Sequence, residues 1–564
     1  MTAIAKLNCL LLAPLLILAG ALPAVGGSYP APIKYRQTMT KIVDETQLQG
    51  WPSGGYETAG RHIEEIVASP TNNHLAFTVK LDIYSDKRLY VRGNGGELRD
   101  CTPYLNAAGV NPDNVYGLRM SHDGNRIFFF GVYGQDIYYL IPWFVWEVHP
   151  AFKGLAGSDG RVKYTVNYDG TRLFFKHVTS PGGISVVGLY YADVGDDTYT
   201  AHLMMPMSKL PGEQNTNLLW YLGSSEYGGS LLCRWYSSIS KSTAMWWVNT
   251  PSNPPNPSQD PVRLPDEGHT YVWAEQDLHN KIVASQIGTP EGSASALYAC
   301  QDGSQNEKLY YLQLTTSPTY QNRRLLSGDG GGFTFPTLYD DGYFTRVARF
   351  SGPFHKATRV NLLTGEQRDT LSYWFGESNT PYYLTDLVDD SSGTFARFYY
   401  MATKPVDQTA RIHQVDMTAP PGGNGLAPLI SSISFSKSAW AFEDTTPLTV
   451  NAQITDPKGA TNLQNVYMQV LVDGLEMPAW LTNGYKPITE AQMFDSGSNG
   501  IFTCTSNLYK ISSFYTHYTL PHEVGIRIIA KNKDSNYMIA DTTITLYYKG
   551  AMSGPAVRSL LLLD

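Results

Sequence analysis

Cysteine is scarce, with five in 564 residues. No CxxC or CxxCH occurs, which argues against a thioredoxin-type redox centre, a four-cysteine zinc site and covalently attached c-type haem. Beyond the N-terminus, no run reaches the ~18 apolar residues that a membrane-spanning helix needs. The formal charge of −8 is spread thinly and contains no basic block, so nucleic acid is not an expected partner. The sequence has no GxSxG elbow, no HExxH and no GxxxxGK[ST], which argues against an α/β-type serine hydrolase, a zincin and a P-loop enzyme. Long amphipathic helical runs are also missing. The glycine run Gly328–Gly332 has no strand-to-helix context and reads as a turn.

The N-terminus has the features of a targeting segment. Lys6 precedes a short apolar stretch that is broken by Pro14 and ends in small residues. Ala19-Gly20-Ala21 and Val25-Gly26-Gly27 are both suited to cleavage. Residues 1–27 therefore read as a secretory signal and the mature chain as exported, to the periplasm, the cell surface or the medium, with no integral membrane segment. Export permits disulfides. Cys101, Cys233, Cys300 and Cys504 are isolated, and read as buried small hydrophobes with at most one bridge among them.

Glycine (51), proline (34) and tyrosine (38) are plentiful, as expected of an all-β chain rich in turns and aromatic strands. A repeat organises them. SPTNNHLAF from Ser69, SHDGNRIFF from Ser121 and NYDGTRLFF from Asn167 each set a polar turn a few residues before a bulky pair ending in Phe, at Phe77, Phe129 and Phe175. Asp-Gly makes such a turn because glycine accepts positive φ and aspartate bonds its own backbone. Weaker copies place Leu232, Val283, Phe344 and Phe398 at the matching position. Each copy is followed by a second strand rich in Leu, Tyr and Val, often by a glycine turn, and by a short closing strand. Seven units near a ~50-residue period, each of four antiparallel strands, bury their faces only by stacking radially.

The Ser-x-Asp-Gly-x-x-(Leu/Ile)-x-Phe turn, followed by a Leu-Tyr-Val strand and a Gly-Gly turn, resembles the repeat of TolB-type β-propellers. The resemblance covers residues 60–415 and is good in the first three units. It implies a blade structure and carries no chemistry, because propellers of this type serve as protein-binding modules, as parts of peptidases and, in related architectures, as pectin-fragment lyases. The seventh unit lacks a fourth strand before TAPPGGNG. Ile33–Val43, which alternates loosely, is the segment expected to supply it.

After the linker, LTVNAQITD, VYMQVLVDG and VGIRIIAKN alternate apolar and polar residues with period two, as expected of sheets with one buried and one wet face. About seven strands in ~125 residues point to an immunoglobulin-like sandwich. The expected fold is therefore all-β: a signal at 1–27, a seven-bladed propeller at 28–417, a linker at 418–427, an Ig-like sandwich at 428–550 and a tail at 551–564.

Functional residues are harder to assign. His122, His177, His279 and His355 come from different units and meet only if the ring brings them to its axis. Asp196-Asp197, Asp340-Asp341 and Asp389-Asp390 lack the DxDxDG spacing of calcium loops and read as turn-formers, as do Asp123 and Asp169. No catalytic residue, metal or cofactor is assigned. Trp143, Trp146, Trp246 and Trp247, read as lying on strands of the second and fourth units, are the candidate contacts for a partner or a sugar. The expected function is a non-enzymatic scaffold that contacts other envelope or extracellular proteins. A carbohydrate-active lyase or a glycan-binding protein acting through the propeller channel is the alternative.

Overall fold

The computed structural model describes most of residues 28–209, the strands of 218–416, and 425–548 apart from 443–446, 473–474, 477–490 and 507–521. Residues 1–27, read above as a signal, His122, His279, Asp340-Asp341 and residues 551–564 lie outside the described residues. The chain is nearly all β; the α-helix among the described residues is the short Thr102–Ala107. No described helix is long and apolar enough to cross a membrane. Two compact units emerge, one of Met39–Thr418 and one joining residues up to Thr38 with those from Ala419 onward.

In the larger unit, six four-stranded antiparallel sheets follow one another along the chain. The first comprises His62–Ala68, Leu75–Lys80, Lys87–Arg92 and Leu98–Asp100. Tyr116–Met120, Ile127–Val132, Asp136–Ile141 and Glu147–Phe152 form the second. The third is Tyr164–Val166, Arg172–Thr179, Val186–Asp193 and His202–Pro206.

The repeat is visible in the hydrogen-bond register. The N–H of Ser69 donates to the carbonyl of His74, that of Ser121 to Arg126 and that of Asn167 to Arg172, at 2.9, 2.9 and 3.1 Å. The three matched phenylalanines each face a tyrosine on the next strand: Phe77 opposite Tyr90, Phe129 opposite Tyr138 and Phe175 opposite Tyr190. Asp123 accepts from the Ser121 hydroxyl at 2.6 Å and from the Asn125 N–H at 3.0 Å. Asp169 accepts from Thr171 in the same way. Both are turn-formers.

The run Ile127–Phe130 is apolar without alternation because both faces of its sheet are covered. Ile127 and Phe129 pack with Ala76, Leu89 and Val91 of the first sheet. Phe128 and Phe130 pack with Tyr164, Leu173 and Phe175 of the third. Every second residue thus belongs to a different inter-sheet core.

Among the weaker copies, Leu232, Phe344 and Phe398 fall on the second strands Ser230–Ser237, Tyr343–Arg349 and Arg397–Lys404 of their sheets. The copy around Val283 does not correspond. The second strand of the fifth sheet is Ala294–Gln301, and Val283 lies outside the described residues. Pro290-Glu291-Gly292, just ahead of that strand, has the better turn composition. The last sheet of this unit holds Val388–Asp389, Arg397–Lys404 and Thr409–Asp416, with the strand Tyr35–Val43 beside Thr409–Asp416. The N-terminal segment does supply the missing strand. Val43 and Ile412 share a core with Phe77 and Tyr90 of the first sheet, so the last sheet packs on the first.

The smaller unit has two sheets over one core. Tyr29–Ala31, Leu429–Phe435, Leu448–Thr455 and Ile501–Ser506 form one; Leu463–Val472, His522–Asn532 and Tyr537–Tyr548 are the main strands of the other. Val450, Ala452 and Ile454 meet Val466, Met468, Ile526 and Ile528 between them. The face expected to be wet is not wet throughout: Arg527, on the side away from this core, is 1% exposed. Its guanidinium is held by both oxygens of Asp541, at 2.8 and 3.0 Å. A buried charge persists when such a partner satisfies it.

Candidate functional site

Trp143 and Trp146 are not on a strand. They sit in the hairpin between Asp136–Ile141 and Glu147–Phe152, which corrects the strand placement read from the sequence. Pro142 supplies the reason, because it has no N–H to give to a ladder. Both tryptophans have left-handed backbone, with φ of 81° and 54°. For bulky side chains this is uncommon and costs on the order of 1–3 kcal/mol, sustained only by surrounding contacts.

Those contacts come from both the first and the second sheet. The Trp143 indole N–H donates to the Gly124 carbonyl at 3.1 Å, so the hairpin rests on the Asp123-Gly124 turn. The ring lies 4.0 Å from the His74 ring, tilted by 30°. It also closes on Gly93, where a β-carbon would stand 2.8 Å from Trp143 Cζ3. Trp146 meets Trp143 edge-on at 5.6 Å. Tyr104, on the helix Thr102–Ala107, stacks with Trp146 at 5.7 Å, and the Arg99 guanidinium stands 4.3 Å from the Trp146 ring centre. The Arg99 guanidinium also donates to the Tyr104 hydroxyl at 3.1 Å. Trp143, Trp146 and Tyr104 are half-buried and Arg99 is exposed. The result is an aromatic bay between two sheets, with a cation at one end and an imidazole at the other. Burial holds His74 below the usual histidine range, against the opposing pull of the Gly124 backbone and the charges of Glu97 and Asp123. Such a bay provides stacking surface and hydrogen-bond donors, which is the chemistry of binding.

Trp246 and Trp247 lie elsewhere, on the strand Ser242–Asn249 of the fourth sheet. Both are buried, at 4% and 6% exposure. Trp246 packs with Phe174, Tyr191, Met204 and Leu231 between the third and fourth sheets. Adjacent residues on a strand point to opposite faces, and a sheet covered on both faces buries the two together. The structure therefore brings Trp143 and Trp146 together and keeps Trp246 and Trp247 apart from them. His177 is enclosed by the rings of Phe152, Phe175 and Tyr190, and burial lowers its pKa. Asp196 accepts from the N–H and hydroxyl of Thr198, closing a turn.

His74, Arg99 and Tyr104 carry no sequence signal as site residues. They precede the tryptophans by one repeat, and only the stacking of the first two sheets joins them. Pro142 was the one local sign that the tryptophans leave the strand.

No protein-family model matches the chain. No curated protein sequence matches it either. Solved structures are similar to it. A puromycin-hydrolysing peptidase of Mycobacterium tuberculosis is 12% identical, with a TM-score of 0.44, over 72% of this chain and 60% of that one. A prolyl endopeptidase is 11% identical, TM-score 0.40, over 70% and 54%. The β-propeller domain of the Trilobed protease of Pyrococcus furiosus, described as having an open velcro topology, is 8% identical, TM-score 0.38, over 63% and 95%. The chain thus spans little more than half the length of the first two. At these identities the likeness concerns fold alone. It does not bear out the expected scaffold without enzymatic function, since these three similar structures come from peptidases.

Proposed function

We propose that the chain takes part in peptide hydrolysis as a peptide-receiving β-propeller, with the bay of Trp143, Trp146, Tyr104 and Arg99 as the peptide contact. The observation that carries this reading is the pair of tryptophans held half-exposed in left-handed backbone by contacts from the neighbouring sheet. Strained backbone kept in place by its surroundings is characteristic of binding positions. Aromatic rings with an adjacent guanidinium suit polypeptide, whose apolar side chains stack while its carbonyls and carboxylates accept hydrogen bonds. The peptidase names of the similar structures agree with the reading.

The same proposal takes the larger unit as a seven-bladed ring of TolB type, supported by the repeated turn register, and the smaller unit as an Ig-like sandwich, supported by two sheets over one core. The bay is assigned substrate binding; no residue is assigned bond cleavage.

The test is calorimetric titration of the full chain with a panel of unstructured peptides, each mixture then analysed for cleavage by mass spectrometry. Binding at micromolar level, weakened about tenfold or more by Trp146→Ala, supports the reading. Failure of every peptide to bind overturns it.

A further inference from the structure

Arg99 has more donors than its neighbours use. A guanidinium carries five N–H donors in a planar fork. Among the described residues Arg99 makes one hydrogen bond, from Nη1 to the Tyr104 hydroxyl. Two carboxylates close to it in sequence or in the hairpin have partners of their own. Asp100 pairs with Arg88 at 3.1 Å and accepts the Thr102 N–H at 2.8 Å, while Glu147 pairs with His149 at 3.2 Å. The Arg99 guanidinium is exposed and, among the described residues, makes no ion pair. Its fork is also pre-positioned by Trp146 and Tyr104, so that little freedom is lost when a ligand binds. In the same hairpin as Trp146, Val145 is 53% exposed.

We propose that the bay binds the free C-terminal residue of a peptide, with the α-carboxylate on the Arg99 fork and an apolar or aromatic side chain against Trp146 and Val145. This rests on the peptide-receiving reading above and names its ligand. A carboxylate is the planar acceptor that a guanidinium fork matches with two parallel hydrogen bonds. The α-carboxylate is favoured over an internal Asp or Glu for a geometric reason. At a C-terminus the anion and the side chain hang from the same carbon, and the bay sets its cation 4.3 Å from the ring centre of its aromatic surface. In an extended peptide, the side chains next to an internal acid point to the opposite side.

The full chain is titrated calorimetrically with acetyl-Ala-Ala-Phe as the free acid, the same peptide as the C-terminal amide, and an amidated peptide with Asp before the Phe. The proposal expects the free acid to bind about tenfold or more tightly than either amide. Arg99→Gln, checked for an unchanged melting temperature, abolishes the difference between acid and amide. Arg99→Lys, which keeps the charge without the fork, retains only part of it. Equal binding of acid and amide overturns the carboxylate site and leaves the peptide reading intact. Equal binding of the free acid and the internal-Asp peptide overturns the C-terminal assignment. Absence of binding by all three peptides removes both readings.

Discussion

Gly170 lies directly against Ser121: a β-carbon on Gly170 would stand 2.9 Å from Ser121 Cβ. Gly124 stands in the same relation to Ser69, also at 2.9 Å. Each Asp-Gly turn is thus seated on the turn of the preceding sheet. Both glycines have left-handed backbone, with φ of 69° at Gly124 and 65° at Gly170. Gly170→Ala combines an unfavourable φ with a close contact, and is expected to cost about 2 kcal/mol or more. Urea denaturation of the full chain, followed by tryptophan fluorescence, checks this; an unchanged midpoint contradicts the interlock.

Arg126 fastens the same joint by donating from Nη1 to the Gly170 carbonyl at 2.7 Å. Arg126→Met keeps much of the side-chain bulk and removes the donor. It is expected to cost about 1–2 kcal/mol, and together with Gly170→Ala less than the sum of the two, because both act on one contact. A double-mutant cycle from denaturation curves gives the coupling; strict additivity contradicts it.

Glu65 joins the first strands of the first and second sheets. Its two carboxylate oxygens accept the N–H groups of Gly117 and Leu118 at 2.9 and 2.8 Å. In Glu65→Gln, an amide NH2 replaces one acceptor and faces an N–H. A loss of about 1–2 kcal/mol is expected, measured as a lower denaturation midpoint. A neutral substitution contradicts the assigned bond.

The inter-sheet joint was half legible in the sequence. Asp123-Gly124 announced the turn and Phe129 the strand, since turn chemistry and apolar runs act locally. The partners of that turn, Ser69 and His74, lie one repeat upstream, and only the stacking of sheets brings them near. Strand Tyr35–Val43 was legible from a deficit, because the last unit lacked a strand. Trp246 and Trp247 misled, because an aromatic pair on a strand looks the same whether the sheet is covered on one face or both. Arg527 misled in the same way: its alternation predicts exposure, and its pairing with Asp541 decides otherwise. The copy around Val283 failed because a polar-to-apolar transition alone does not specify a turn.

His177 and His74 give the stability a pH dependence. Burial lowers both pKa values in the folded state, while in the unfolded chain a histidine titrates near about 6.5. Between the two values the unfolded state binds more protons, so stability rises with pH. The contribution is fully present above about pH 6.5 and is lost as pH falls through the lower folded values. His177→Gln is expected to flatten the fall in melting temperature between pH 7 and 5. An unchanged slope contradicts the role given to His177.

Where a bound peptide lies on the chain tests the account most directly. A C-terminally free peptide carrying a benzophenone side chain at its last residue is photo-crosslinked to the full chain, and the labelled sites are mapped by mass spectrometry. The bay predicts labels concentrated in the Pro142–His149 hairpin and in Arg99–Asn106, lost on competition with unlabelled peptide. Competed labels confined to other sheets of the larger unit or to the smaller unit contradict it.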